Sequence, residues 1–205
     1  MSKEDNKEEA PEQEQSIWRS LGGTLLYLLV IVLLTWVIVT FVGQRTKVDG
    51  HSMEPTLSDG DNLIVDKLSY RFRDPERYDI IVFPYQHAEN TYYIKRIIGL
   101  PGETVQVIDG YMYINGKKLD EHYGAEVMED PGIAAEPIKL GDDEYFVLGD
   151  NRNHSSDSRV ASVGVLTRDM LIGRAWVRIY PFNKIGVIKH EKIKQIAAGY
   201  QISYV

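Results

Sequence analysis

A serine and a lysine set the chemical question in this sequence. Ser52 lies in "GHSMEPTL", residues 50–57, and Lys95 in "TYYIKRIIGLPG", residues 91–102. A serine hydroxyl is a weak nucleophile until a base takes its proton. A Ser-His-acid triad needs a histidine that reaches the hydroxyl and a carboxylate that orients the histidine. There are five histidines. In an extended segment His51 points away from its neighbour Ser52. His87, His122 and His190 lie in polar surroundings that read as surface, and His154 sits within "GDNRNHSSDSR". None is embedded in an apolar run with an evident acid partner, which weighs against a triad. Lys95 is the stronger candidate. Alternation along a strand puts Tyr93, Lys95 and Ile97 on one face and Arg96 on the other. A lysine in such a run is anomalous, because lysine is seldom buried. Either its amine snorkels out at a strand edge, or burial disfavours the ammonium form. Lowering a lysine from ~10.4 to near 7 or 8 costs about 4 kcal/mol of desolvation. The neutral amine can then accept the serine proton and return it to a leaving amine.

These two residues need elements to carry them. "YDIIVFP" reads as a buried strand ended by Pro84, and "SDGDNLIVD" as a turn followed by the apolar run Leu63 to Val65. Val105–Ile108 and Tyr111–Ile114 are joined by Asp109-Gly110, and Asn115-Gly116 turns the chain again. Both dipeptides suit two-residue hairpins, so three antiparallel strands are expected. "EYFVLGD" and "RAWVRIYP" add two more. No helical period of comparable strength and no internal repeat occurs after residue 43. Residues 120–141 are polar and contain proline, and are expected to form a surface excursion. The tail from His190 allows a short helix.

Upstream, "LGGTLLYLLVIVLLTWVIVTFVG", residues 21–43, carries no charge, and none falls between Arg19 and Arg45. As a helix of 23 residues it reaches about 35 Å, enough to cross a hydrocarbon core of about 30 Å. Trp18 on one side and Arg45 and Lys47 on the other suit the two interfaces. The leader before it is acidic and the apolar run is long, which argues against a cleaved signal peptide. The expected organisation is a disordered acidic tail over 1–19, a transmembrane signal-anchor helix over 20–43, and a mainly β domain of antiparallel sheet over 44–205. Lys3, Lys7 and Arg19 precede the span and favour a cytoplasmic N-terminus. The net charge is −7, which argues against a nucleic-acid partner. The absence of cysteine excludes disulfides, thiol nucleophiles and Cys-ligated zinc. No metal or cofactor is expected.

"GHSMEPTL", "YYIKRIIGLPGE" and "GDNRNHSSDSR" occur in this order downstream of the apolar segment. Together they resemble the signature boxes of bacterial type I signal peptidases, the Ser-Lys enzymes that remove signal peptides from exported proteins. The short connection between the second and third boxes is similar to that of the compact Gram-positive enzymes. The resemblance implies a catalytic domain of the signal-peptidase/LexA-like type, at the membrane and outside the cytoplasm. It implies Ser52 as nucleophile and Lys95 as general base, with Ser155 helping to orient the amine. Asp157 and Arg159 match one supporting ion pair, and Asp150 and Arg96 match a second. An oxyanion hole is expected from the Ser52 backbone N–H, with the Gly50 region or water where many relatives carry a serine. Met53, Leu57, Tyr93, Ile94 and Val48 are candidate walls of a shallow cleft for small residues, as in A-x-A-like sites. Expected partners are signal peptides of secreted preproteins, the lipid bilayer and, functionally, the export machinery. Two alternatives differ in kind. A self-cleaving Ser-Lys regulator would carry a DNA-binding segment at its N-terminus, where this chain has an acidic tail and an apolar span. An inactive binding module would usually lack the serine or the lysine.

Overall fold

The computed structural model describes residues 12–37, 43–124 and 126–190. The chain divides between Val42 and Gly43 into two compact units. In the first, α1 (Glu12–Val37) exposes its apolar side chains from Leu21 to Trp36. Among the described residues no helix is long and apolar enough to cross a membrane. The apolar stretch 21–43 runs past Val37 into residues outside that description. One expectation is corrected here: helix begins at Glu12, inside the tail expected to be disordered to residue 19. Once a turn has formed, each further Glu or Gln adds a hydrogen bond at little entropic cost, so helix propagates upstream.

The second unit is built from β1 (Gly43–Lys47), β2 (Asn62–Asp66), β3 (Ile80–Pro84), β4 (Tyr92–Gly99), β5 (Thr104–Ile108), β6 (Tyr111–Ile114), β7 (Lys117–Lys118), β8 (Ile138–Lys139), β9 (Glu144–Leu148), β10 (Leu166–Thr167), β11 (Gly173–Tyr180) and β12 (Gly186–Val187). One sheet has the order β1-β2-β11-β3-β4-β9-β10, with β12 beside β11; the other has the order β7-β6-β5-β8. Every pairing is antiparallel. The β5-β6-β7 meander turns at Asp109-Gly110 and Asn115-Gly116, all four with positive φ. That is the geometry a two-residue hairpin of right-twisted strands requires.

Two further expectations change. The polar stretch "GQRTK" forms β1, an edge strand paired with β2 from Gly43↔Asp66 to Lys47↔Asn62. Charged side chains are what an exposed edge carries to discourage further pairing, so apolar alternation was no guide to it. Residues 120–141 are not merely a surface excursion. Met128, Ala134 and Leu140 are buried in the cluster around Val105, Phe146 and Leu148, and β8 pairs with β5. The few apolar residues of a polar segment pack under it while its charges, Glu121 apart, face out. Residues 191–205, for which the sequence allows a short helix, lie outside the described residues.

β4 carries the central lysine. On one side its first part pairs with β3, from Tyr92↔Pro84 to Arg96↔Ile80. On the other, β9 pairs only with Arg96 to Gly99. The outer edge from Tyr92 to Lys95 therefore has no partner strand among the described residues.

Candidate active site

Ser52 sits in the connection between β1 and β2, and the core holds this connection at both ends. Val48, Met53 and Leu57 are buried together with Leu63, Val65, Val82 and Ile94. Val48 N–H donates to Asp61 O at 2.8 Å and Leu57 N–H to Met53 O at 2.9 Å. The intervening turn presents Ser52 to Lys95, and Lys95 Nζ lies 2.7 Å from Ser52 Oγ. The amine also donates to Ile94 O at 3.1 Å and faces the Tyr93 ring, 5.1 Å from its centroid.

Lys95 is 3 % exposed. Burial lowers its pKa to about 8, against the opposing pull of the Asp157 and Asp150 carboxylates. A fraction of the amine is therefore uncharged near neutral pH. Uncharged, it accepts a hydrogen bond from the serine hydroxyl, which is the geometry of a general base.

Two ion pairs stand behind this contact. Arg96 holds Asp150 through two bonds, Nε to Oδ1 at 2.8 Å and Nη2 to Oδ2 at 2.6 Å, and both side chains are fully buried. The same guanidinium donates to Tyr78 O and Thr56 Oγ1. Arg159 Nε donates to Asp157 Oδ1 at 2.9 Å, and Asp157 Oδ2 accepts the Gly149 N–H at 3.1 Å. Buried charges persist only when paired and hydrogen-bonded, and these are.

Other candidates sit differently from expectation. Ser155 Oγ is buried but makes no hydrogen bond among the described residues, to Lys95 or to anything else. It packs instead against Gly149: a Cβ there would lie 2.2 Å from Ser155 Oγ and 2.5 Å from Ser52 O. The Gly50 N–H does not face the reaction centre, because it donates to Asp59 Oδ1 at 2.9 Å. Gly50 adopts φ +96°, which turns its amide toward the Asp59 side. A cavity of about 560 Å³ contains Ser52 and Lys95 and is lined by Val48, Met53, Tyr93 and Ile94. Leu57 is not among its walls and belongs to the core, since the turn after Met53 directs it inward. The polar walls Asn90, Thr91, Tyr92, His154 and Ser156 carried no periodic signal that would have marked them.

The histidines need two corrections. His51 has an acid partner after all, with its Nδ1 3.0 Å from Glu54 Oε1. A turn brings residues three apart together, whereas an extended segment would not. The pair is largely exposed, the carboxylate raises the imidazole pKa, and the histidine makes no hydrogen bond to Ser52. His190 is not a surface residue. β12 folds back on β11 and brings it inside, where Nδ1 accepts the Ile80 N–H at 3.2 Å and Nε2 donates to Ala175 O at 3.0 Å. Burial lowers its pKa.

Three further supports carry no signal in the sequence. Asn151 hydrogen-bonds the backbone on both sides of Ser52. Tyr123 stacks 3.6 Å from the Arg96 guanidinium. Glu121 grips Arg152 through two bonds, at 2.6 and 2.7 Å. Tyr123 and Glu121 come from the segment read as an excursion, and the bare sequence gives no sign of which charges a loop will reach.

The family model for "Signal peptidase, peptidase S26" matches residues 21–180. The chain belongs to this family. It is 44 % identical over 187 residues to the probable signal peptidase I-2 of Synechocystis sp., covering 89 % of this chain and 81 % of that protein. It is 45 % identical over 162 residues to the signal peptidase I of Leptolyngbya laminosa (76 % and 77 % covered). With the signal peptidase I of Bacillus amyloliquefaciens it shares 39 % over 169 residues (77 % and 87 % covered). This member of the signal peptidase family is an enzyme of the type I kind, a hydrolase and a protease, and its mainly antiparallel β unit holds the three boxes together.

Proposed function

We propose that this signal peptidase is a membrane-anchored serine endopeptidase that removes N-terminal signal peptides from exported preproteins, with Ser52 as nucleophile and Lys95 as general base. The observation that carries the reading is the 2.7 Å contact between Lys95 Nζ and Ser52 Oγ, made by an amine that burial brings to about 8. The neutral amine takes the hydroxyl proton as Oγ attacks the scissile carbonyl. The Ser52 N–H receives the developing oxyanion. Collapse breaks the C–N bond, and the lysine passes its proton to the departing amine, leaving an ester on Ser52. Water, deprotonated by the same amine, attacks the ester and frees the serine. Arg96 with Asp150, and Arg159 with Asp157, hold the boxes in register. Ser155, expected to orient the amine, makes no hydrogen bond to it and is given no part in these steps.

Specificity for small residues of the A-x-A type follows from steric limits. Buried Val48, Met53 and Ile94 and the Tyr93 ring wall the cavity beside the dyad. An extended substrate adds to the open edge of β4 from Tyr92 to Lys95, where main-chain groups lack a partner strand. The anchor, expected over residues 20–43, is assigned to 20–42, because Gly43 already opens β1; the N-terminus is placed in the cytoplasm and the catalytic unit on the opposite side. The exposed apolar side chains from Leu21 to Trp36 support it. Anchoring raises the effective concentration of the site where signal peptides emerge from the bilayer.

The test is incubation of the detergent-solubilised chain with a preprotein, followed by N-terminal sequencing of the product, with Ser52→Ala as control. A product beginning just after an A-x-A site, absent with Ser52→Ala, is expected. Cleavage that persists in the control would remove Ser52 from the reaction.

A further inference from the structure

Ser52 lies between two peptide groups, and one residue of the third box grips both. The backbone N–H of Asn151 donates to Ser52 O at 3.0 Å. Its side-chain Nδ2 donates to His51 O at 3.1 Å. The His51 carbonyl accepts one further bond, from Glu54 N–H at 3.1 Å. A peptide group is planar and trans, so His51 C=O and Ser52 N–H are opposite ends of one rigid plate. Holding the oxygen at one end sets the direction of the N–H at the other. A bond to the carbonyl also polarises the plate and strengthens the N–H as a donor. Among the described residues the Ser52 N–H donates to no protein acceptor, so this donor is free to meet a ligand.

Asn151 is itself held. Its carbonyl accepts the His154 N–H at 3.1 Å, closing the short 3-10 turn Arg152–His154. On its other side Asp150 is locked by Arg96, and Gly149 by Asp157. The buried ion pairs thus end on an amide that touches the nucleophile's backbone and neither the lysine amine nor the serine hydroxyl.

We propose that Asn151 is a positioning residue that aims the Ser52 N–H at the oxyanion by holding the His51–Ser52 peptide plane. The inference rests on the Ser52 reading given above and adds to it. When Oγ bonds to the scissile carbon, the carbonyl π pair moves onto oxygen, and a donor already aligned meets it without reorganisation. The same plane serves ester hydrolysis, where water adds and the same oxygen again carries the charge. Asn151 therefore acts on both steps through Ser52.

The experiment compares wild type, Asn151→Ala and Asn151→Asp as full chains in detergent, on one preprotein, across pH 6 to 10. Both variants keep the backbone N–H and lose the side-chain donor. The limiting kcat is expected to fall about 10- to 100-fold in Asn151→Ala, somewhat less than for direct loss of an oxyanion donor. Asn151→Asp, of the same shape, should lose at least as much, because its carboxylate faces the His51 carbonyl. KM should stay within about threefold, the pH midpoint should match wild type, and the thermal midpoint should move by only a few degrees. A limiting kcat within about twofold of wild type in either folded variant overturns the proposal. So does a shifted pH midpoint with an intact plateau, which would assign Asn151 to the lysine. If Asn151→Ala does not fold, Asn151→Asp decides. Wild type that cleaves no preprotein would instead overturn the endopeptidase reading, and this inference with it.

Discussion

At the scale of single residues, Lys95 is a buried amine whose surroundings differ sharply from those of an ordinary surface lysine. Its amine ordinarily titrates at 10.5 and here at about 8, because burial disfavours its charge. Activity should therefore rise with pH through a midpoint near 8, followed as kcat/KM on a peptide substrate. A flat profile from pH 6 to 9 would contradict a titrating base in that range. The same shift acts on stability. Below pH 8 the amine is charged in both folded and unfolded chains, and the folded chain bears the cost of burying it. Between 8 and 10.5 the unfolded chain binds more protons, so folding stability climbs with pH, by about 3 kcal/mol in all. Lys95→Met should lack that climb, as denaturant titrations at pH 7 and 10.5 would reveal, and should be inactive. His51 gives the contrasting case. It has a carboxylate partner, but the pair is exposed and bonds to neither member of the dyad. His51→Ala should keep activity within a few-fold of wild type. A loss of about 10⁴-fold would revive a histidine base.

At the scale of elements, the turn after β9 packs closely against the backbone of Ser52. Gly149 allows the closest approach in the site. A methyl group there would fall 2.5 Å from Ser52 O and 2.2 Å from Ser155 Oγ, and neither neighbour is the end of a long flexible chain. Gly149→Ala should cost about 1 to 3 kcal/mol of stability and lower kcat more than it raises KM. An unchanged kcat would mean that the turn tolerates the shift. Arg96 and Asp150 brace the same turn from inside. Removing one partner strands a buried charge, so Arg96→Met should destabilise by about 3 to 5 kcal/mol. The double variant Arg96→Met with Asp150→Leu should recover part of that loss. Additive effects in urea denaturation would show that the pair is not coupled. Tyr123 on Arg96 and Glu121 on Arg152 belong to this brace without lining the cavity.

At the scale of the whole molecule, the chain separates an apolar helical unit from a β unit that begins at Gly43. The proposed anchor predicts a division of labour. A chain starting at Gly43 should lose sedimentation with lipid vesicles and keep its kcat on a short peptide. It should process a membrane-inserted preprotein more slowly than the full chain, because tethering no longer raises the local concentration. Equal rates on the inserted preprotein would remove the mechanistic purpose of the anchor.

Much of the architecture was legible because its signals are local. The apolar run at 80–84 and the strand pattern at 92–99 mark strands, and Asp-Gly and Asn-Gly mark hairpins through their tolerance of positive φ. The lysine stood out because an amine in an apolar strand conflicts with its surroundings. Edge strand β1 was invisible, since an edge carries charge rather than a pattern. The same holds for the partner of His51, the burial of His190, the orientation of Gly50 and the grip of Asn151 on Ser52. Sequence by itself determined which residues can do chemistry and which strands carry them, because residue type and short-range periodicity are properties of the chain. Only the tertiary structure decided which hydroxyl meets which amine, how dry that amine is, and which backbone groups are free. Distance and desolvation arise when segments remote in sequence pack together, and no local pattern encodes them.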